Sequence, residues 1–229
     1  MVSYKSGAKD IEVVVYESHR AGQFPALLVI HGSSGPMSSF IGGYAQQLAN
    51  LGYVVFFFIH YFDATGTSYA TFSGIRTHFE RWMTVIVDGI SFAERHPKAD
   101  AGAIGLMGVS LGGFLSLSVA SQDQRVAAVV SLMGGMPPEI IAISKRMPPT
   151  LLLHGEADPV VPVAEAHEVE KLLKRLGSKY EIKTYPGQGH SFHGMAQMDA
   201  LTRTLRFLGK HLKRENAVVG LGSLLLSLR

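Results

Sequence analysis

Cysteine is absent from the 229 residues. That single absence removes disulfides, thiolate metal sites and a cysteine nucleophile together. Charge is also scarce. Only 17% of residues are Asp, Glu, Lys or Arg, and the basic ones are scattered apart from a short cluster between Lys210 and Arg214. No basic stripe interleaved with aromatics is present, which excludes the usual footprint of a nucleic-acid binder. No apolar run reaches the ~20 residues that cross a bilayer. The opening residues, Met1 to Gly7, lack the apolar core of a secretory signal. The expectation is a soluble cytoplasmic protein that engages neither nucleic acid nor membrane.

What the chain does have is apolar residues, 47% of the total, enough for one domain with a sizeable core. Their pattern is informative. Pro25–Ile30, Tyr53–Ile59, Ala103–Met107, Val126–Leu132 and Thr150–His154 are continuous apolar runs, as expected of strands buried on both faces. Ile11–Tyr16 and Lys179–Tyr185 are further strands, and Val2–Ser6 an edge strand. Between them lie segments of helical period: from Ser38 or Ser39 to about Leu51, then Ile75–Glu94, Leu111–Ser121 and Val163–Leu176. A last helix runs from Phe192 to about Arg214. Strands alternating with helices predict an α/β fold with a mainly parallel sheet of about eight strands, covered on both faces. Residues 1–214 form a single domain on this reading, with no repeat, no linker and no room for a large cap domain. Residues 215–229 are an apolar tail that either packs back on the domain or contacts a second copy in a homodimer.

In such sheets reactive groups collect beyond the C-terminal ends of the strands. Gly108-Val109-Ser110-Leu111-Gly112-Gly113 sits at one such end, where a strand turns into a helix. Gly-x-Ser-x-Gly at that place is a nucleophile elbow: the serine must stand clear of a crowded turn, so only small residues fit two positions either side. Asp158 follows the Thr150–His154 strand in Gly155-Glu156-Ala157-Asp158-Pro159. His190 follows the last strand in Gly187-Gln188-Gly189-His190-Ser191-Phe192. Taken alone, an aspartate before proline is usually a turn residue and a histidine among glycines a solvated loop. Together, serine, acid and histidine emerge from one edge of one sheet in the chain order of an α/β-hydrolase triad. Glu156 competes with Asp158 for the acid role but falls two residues early. His154 is expected to pack or bond backbone, and His31 to hold its own loop. No pair of histidines or carboxylates has metal-ligand spacing, so neither metal nor other cofactor is predicted.

The chain resembles an α/β-hydrolase, and within that fold the dienelactone hydrolase family. The resemblance runs from about Val2 to Arg214 and rests on the His31-Gly32 loop, the elbow, Gly155-Glu156-Ala157-Asp158-Pro159-Val160-Val161-Pro162 and Gly189-His190-Ser191-Phe192. It implies a serine hydrolase with Ser110 as nucleophile, His190 as base and Asp158 as the acid that orients it. The oxyanion hole would be the backbone N–H groups of Leu111 and Ser33. Substrate contacts are expected from the same edge, at Ser34, His60, Tyr61, Phe62, Met136, Phe192 and His193. Departures from the family pattern bear on the substrate. Strict dienelactone hydrolases carry a cysteine where this chain has Ser110, and a glutamate in the loop that here reads His31-Gly32-Ser33. Members that take anionic lactones are also expected to place arginines where this chain has Asp63 and Gly194. The substrate expected is therefore a neutral, short-to-medium carboxylic ester. The alternatives are a dienelactone-type lactonase, a peptidase of the prolyl oligopeptidase kind, or a non-catalytic binding module on the same fold.

Overall fold

The computed structural model describes residues 1–36, 45–46, 49 and 55–212. Eight strands form one sheet: β1 (Val2–Ser6), β2 (Lys9–Tyr16), β3 (Phe24–Ile30), β4 (Val55–Ile59), β5 (Ala99–Val109), β6 (Val126–Leu132), β7 (Thr150–Gly155) and β8 (Tyr180–Tyr185). Their order across the sheet is β1-β2-β4-β3-β5-β6-β7-β8. β2 runs antiparallel to both its neighbours, β1 and β4, at one side of the sheet, and the remaining pairings are parallel. Among the described residues the crossover helices are α1 (Phe72–Glu94), α2 (Leu111–Gln122), α3 (Pro138–Ile143) and α4 (Ala164–Arg175), and α5 (Gly194–Leu212) follows the last strand. Fold class and strand count agree with the sequence-based expectation. The predicted helix from Ser38 or Ser39 to Leu51 falls largely outside the described residues, where Ala45, Gln46 and Ala49 are helical. The apolar tail lies outside them altogether.

The strand order is what positions a site. The chain moves from β3 outward to β4, then returns across β3 to lay down β5 on its other side. Parallel sheets of this kind open a crevice beyond the strand ends where the order reverses. Here the reversal sits between the loop after β3 and the loop after β5, which are neighbours because Ile30 pairs with Gly108. The sheet separates two cores. On one face Leu28, Ile30, Leu106 and Leu152 pack against α1, α2 and α4. On the other, Leu27, Val29, Val130, Leu151 and Leu153 pack against Phe207, Leu208 and Leu212 of α5. α2 is buried on nearly all sides, as a helix without a polar face should be.

Element boundaries differ from the sequence reading mostly by a few residues. α1 starts at Phe72 rather than Ile75 because the Thr71 hydroxyl caps it, accepting the Gly74 N–H at 3.1 Å. β5 begins at Ala99, four residues before its apolar core, because Phe24 and Pro25 pair with Ala99 and Asp100 across a register shift. The polar and aromatic segment after β4 is not simply a loop: Tyr61–Ala64 make a turn of 3-10 helix.

Candidate active site

β5 delivers Ser110 at the sheet's C-terminal edge. Its φ of 54° and ψ of −120° are a conformation few side-chain-bearing residues adopt, at a cost of about 1–3 kcal/mol. The elbow is held from several sides. The Ser110 N–H donates to the Leu132 carbonyl of β6 at 2.8 Å, and the Ser110 carbonyl accepts from Gly113 and Phe114 as α2 begins. The flanking glycines are required by space. A β-carbon on Gly108 would lie 1.9 Å from the Gly112 carbonyl oxygen, and one on Gly112 would lie 2.2 Å from that of Ile30. The Gly-x-Ser-x-Gly spacing is thus the packing requirement of this turn.

The three residues singled out from sequence meet. His190 Nε2 lies 2.8 Å from Ser110 Oγ, and His190 Nδ1 lies 2.7 Å from Asp158 Oδ2. A carboxylate oxygen accepts only, so Nδ1 carries the proton and Nε2 is left to accept from the serine hydroxyl. The Asp158 side chain is wholly buried, whereas that of His190 is one-quarter exposed. Asp158 Oδ1 accepts the backbone N–H groups of Val160 (2.8 Å) and Val161 (3.0 Å). Burial by itself would raise the Asp158 pKa. The hydrogen bonds from His190, Val161 and Val160 outweigh it and hold the carboxyl below its usual value.

The loop after β3 closes the other side of the serine. A β-carbon on Gly32 would lie 3.4 Å from Ser110 Cβ. The Ser33 carbonyl accepts the Ala70 N–H at 2.8 Å, and Gly35 N–H closes a turn onto the Gly32 carbonyl. Leu111 and Gly112 open α2, so their N–H groups have no carbonyl within the helix to bond. Ser33 is half-buried and Ser34 exposed.

The pocket residues expected from sequence fare less well, and several are corrected. Tyr61 is 0% exposed, Phe62 2% and Met136 1%; none of them lines an open site. The 3-10 turn swings the two aromatics inward. The Tyr61 ring stacks on His31 at 4.1 Å between centroids, Phe62 meets the same imidazole edge-on at 4.7 Å, and Trp82 backs both. The Tyr61 hydroxyl donates to the His31 carbonyl at 3.1 Å. Met136 belongs to the α1–α2 core. Phe192 turns toward Tyr185, 4.8 Å away, and packs on the α5 side of the sheet. His60 turns toward Glu12, its Nδ1 3.7 Å from Oε2. His193 is exposed beside His190, its Nε2 2.8 Å from Ser191 Oγ and its N–H on Gln188.

His31 does hold its loop, with Nδ1 donating to the Gly32 carbonyl at 2.8 Å; burial brings its pKa down to about 4, so it is neutral. Glu156 faces solvent and accepts the Thr184 hydroxyl, as its register predicts. Among the described residues one group of metal-type ligands converges: Glu12, His60 and Asp63 offer atoms within 4.8 Å of one another. Asp63 Oδ2 there already accepts the Glu12 N–H at 2.8 Å. Sequence reasoning missed a cleft of about 560 Å³ beside the β3 loop, whose lining includes Ser68, Tyr69, Thr71, Thr77, His78 and Trp82. Its sequence signal is the run of small polar residues Gly66-Thr67-Ser68 directly after a buried aromatic turn. No helix among the described residues is long and apolar enough to cross a membrane.

The comparisons with known proteins agree with this architecture. A protein of Methylorubrum extorquens named "Putative carboxymethylenebutenolidase" is 26% identical over 190 residues, which cover 75% of this chain but only 64% of that one. A Bradyrhizobium protein named "Probable 2-oxo-3-(5-oxofuran-2-ylidene)propanoate lactonase" is 24% identical over 214 residues, covering 83% of this chain and 86% of the relative. Among solved structures, a dienelactone hydrolase-like promiscuous phosphotriesterase from metagenomic libraries superposes with a TM-score of 0.79 at 16% identity, covering 93% of this chain and 97% of its own. At that identity the likeness speaks for the fold alone. The family model for dienelactone hydrolases matches residues 11–212, the whole span from β2 to the end of α5, and the chain belongs to the dienelactone hydrolase family.

Proposed function

We propose that the protein is a serine hydrolase that cleaves neutral, short-to-medium carboxylic esters through an acyl-serine intermediate. The observation that carries the proposal is the hydrogen-bonded line from the strained Ser110 through His190 to the buried Asp158. In this mechanism His190 Nε2 takes the Ser110 proton as Oγ attacks the ester carbonyl, and Asp158 stabilises the imidazolium so formed. The tetrahedral oxyanion is met by the N–H groups of Leu111 and Ser33. Collapse expels the alcohol, which takes the proton from His190. Water, activated by the same base, then releases the acid. Each of these steps uses only groups of this chain.

One feature supports a neutral substrate. At the positions where an arginine would meet an anionic lactone, the chain has Asp63, bonded to the Glu12 N–H, and Gly194, which opens α5. A carboxylate entering a partly dry site without a cationic partner loses hydration uncompensated, at a cost of several kcal/mol. The second reading is a lactonase of carboxylated substrates, favoured by the name of the Bradyrhizobium relative.

Comparing kcat/KM for p-nitrophenyl butyrate with that for a dienelactone carboxylate separates the two. The ester is expected to be at least ~100-fold better; equal or reversed values would refute the neutral-ester reading. Covalent labelling by a fluorophosphonate, lost in Ser110→Ala, separates either enzyme from a binding module.

A further inference from the structure

Beneath the acid of the triad lies a second histidine that the mechanism does not use. His154 is the penultimate residue of β7 and is 1% exposed. Its Nε2 lies 2.8 Å from the Val161 carbonyl oxygen and 3.5 Å from Asp158 Oδ2. A carbonyl oxygen can only accept, so Nε2 carries the proton and donates it to Val161. The charged or titratable groups acting on His154 are Asp158, His190 and His167 of α4. Burial, the largest influence, holds its pKa below the ordinary value, so the ring is neutral at physiological pH.

The arrangement closes a small loop of interactions. Asp158 Oδ1 is held by the N–H groups of Val160 and Val161. Those amides stay in place only if the segment carrying them does. That segment is fastened from below by the His154 bond to the Val161 carbonyl. The same nitrogen lies 3.5 Å from Oδ2, the oxygen that accepts from His190. One imidazole therefore ties the downstream arm of the acid loop to the strand that begins it, and meets the acid itself. Neutrality matters here. A cation at this distance from Asp158 would compete with the imidazolium of His190 for the carboxylate, whereas a neutral N–H fixes the geometry and leaves the charge for His190.

We propose that His154 is a positioning residue for the Asp158 carboxylate, acting on the reaction only through that acid. The inference rests on the triad reading above. It accounts for a polar side chain buried at the end of an otherwise apolar strand, where Leu151, Leu152 and Leu153 precede it. Misplacing a catalytic group by about an ångström typically costs up to ~100-fold in rate, and loosening this loop displaces the acid on that scale.

The test is a double-mutant cycle on the full chain with p-nitrophenyl butyrate, the Ser110→Ala background being subtracted. His154→Phe keeps the volume and removes the donor. It is expected to lower kcat about 30-fold with KM within about twofold. His154→Gln, whose amide nitrogen reaches the place of Nε2, is expected to stay within about fivefold of wild type. In the Asp158→Asn background His154→Phe should change kcat less than about twofold, because its effect runs through the acid. Equal losses in both backgrounds, a glutamine variant as impaired as phenylalanine, or an unimpaired phenylalanine variant would overturn the proposal. Should His154→Phe fail to fold, His154→Asn takes its place in the cycle, since its amide stops short of the Val161 carbonyl. A wild type whose activity survives Ser110→Ala would instead overturn the assignment of the site, a result distinct from all of these.

Discussion

Replacing Asp158 by asparagine changes one atom and leaves the volume of the site intact, so the structure fixes what should follow. Oδ1 accepts two backbone N–H groups, at 2.8 and 3.0 Å. An asparagine must keep its oxygen there, because turning the amide nitrogen toward two N–H donors would leave three donors facing one another without an acceptor. Its nitrogen is then forced toward His190, 2.7 Å from Nδ1, where it can only donate. His190 responds by moving its proton from Nδ1 to Nε2. The face turned to Ser110 Oγ now carries a hydrogen and cannot accept the serine proton. The loss is one of tautomer as well as of charge, and is expected to be about 10³–10⁴-fold in kcat. KM should change little, since no substrate contact is removed. Steady-state kinetics on p-nitrophenyl butyrate, with circular dichroism to confirm the fold, decides the matter. An Asp158→Asn protein retaining a tenth of wild-type kcat would refute the reasoning. So would a larger loss in Glu156→Gln, a residue that faces solvent and accepts from Thr184.

Three further outcomes are expected. Ser110→Ala should abolish fluorophosphonate labelling and reduce turnover by several orders of magnitude while the fold persists; retention of a tenth of the activity would exclude Ser110 as nucleophile. Gly112→Ala should destabilise the protein by about 3 kcal/mol in urea unfolding or prevent folding, because its β-carbon would stand 2.2 Å from the Ile30 carbonyl oxygen. The lowered Asp158 pKa makes its contribution to stability complete above the unfolded carboxyl value near ~4 and progressively lost as pH falls through the lower folded value. The part of the stability difference between wild type and Asp158→Asn that comes from the carboxylate's own titration should therefore begin to fall below about pH 4. A difference that stays unchanged from about pH 5 down to the onset of acid unfolding would contradict that assignment.

Much of this site was legible because each of its three hydrogen-bonded residues, Ser110, Asp158 and His190, is announced by a strand. A strand followed by Gly-x-Ser-x-Gly, Gly-Glu-Ala-Asp-Pro or Gly-Gln-Gly-His fixes which edge of the sheet the residue reaches, and a parallel sheet has a single edge for all such ends. The same rule misled at Tyr61 and Phe62. They follow β4 at the correct edge, and an aromatic pair in a loop reads as a pocket wall. Position along the chain says which edge a residue occupies, whereas only the 3-10 turn at Tyr61–Ala64 decides that these rings point back under the loop. Met136 failed for a related reason: burial behind a short connection is set by the neighbouring helices, which the local sequence does not contain. His154 was correctly expected to bond backbone. Its approach to Asp158 depends on the loop between them folding back, and three intervening residues of mixed character do not dictate that.

The inward turn of those aromatics has a consequence for the reaction as well as for the reading. In the proposed mechanism the Leu111 donor belongs to α2 and is fixed by helix geometry. The Ser33 donor belongs to a loop, and a loop must be made rigid if it is to stabilise an oxyanion without reorganising. The rigidity comes from beneath. His31, one residue before Gly32, is sandwiched against Tyr61 and Phe62, receives the Tyr61 hydroxyl on its carbonyl and bonds the Gly32 carbonyl through Nδ1. Trp82 of α1 closes the stack and is itself tied by Nε1–H to Thr65 at 3.2 Å. The segment after β4, taken from sequence for part of the substrate pocket, thus packs against His31 at the start of the loop that carries Ser33.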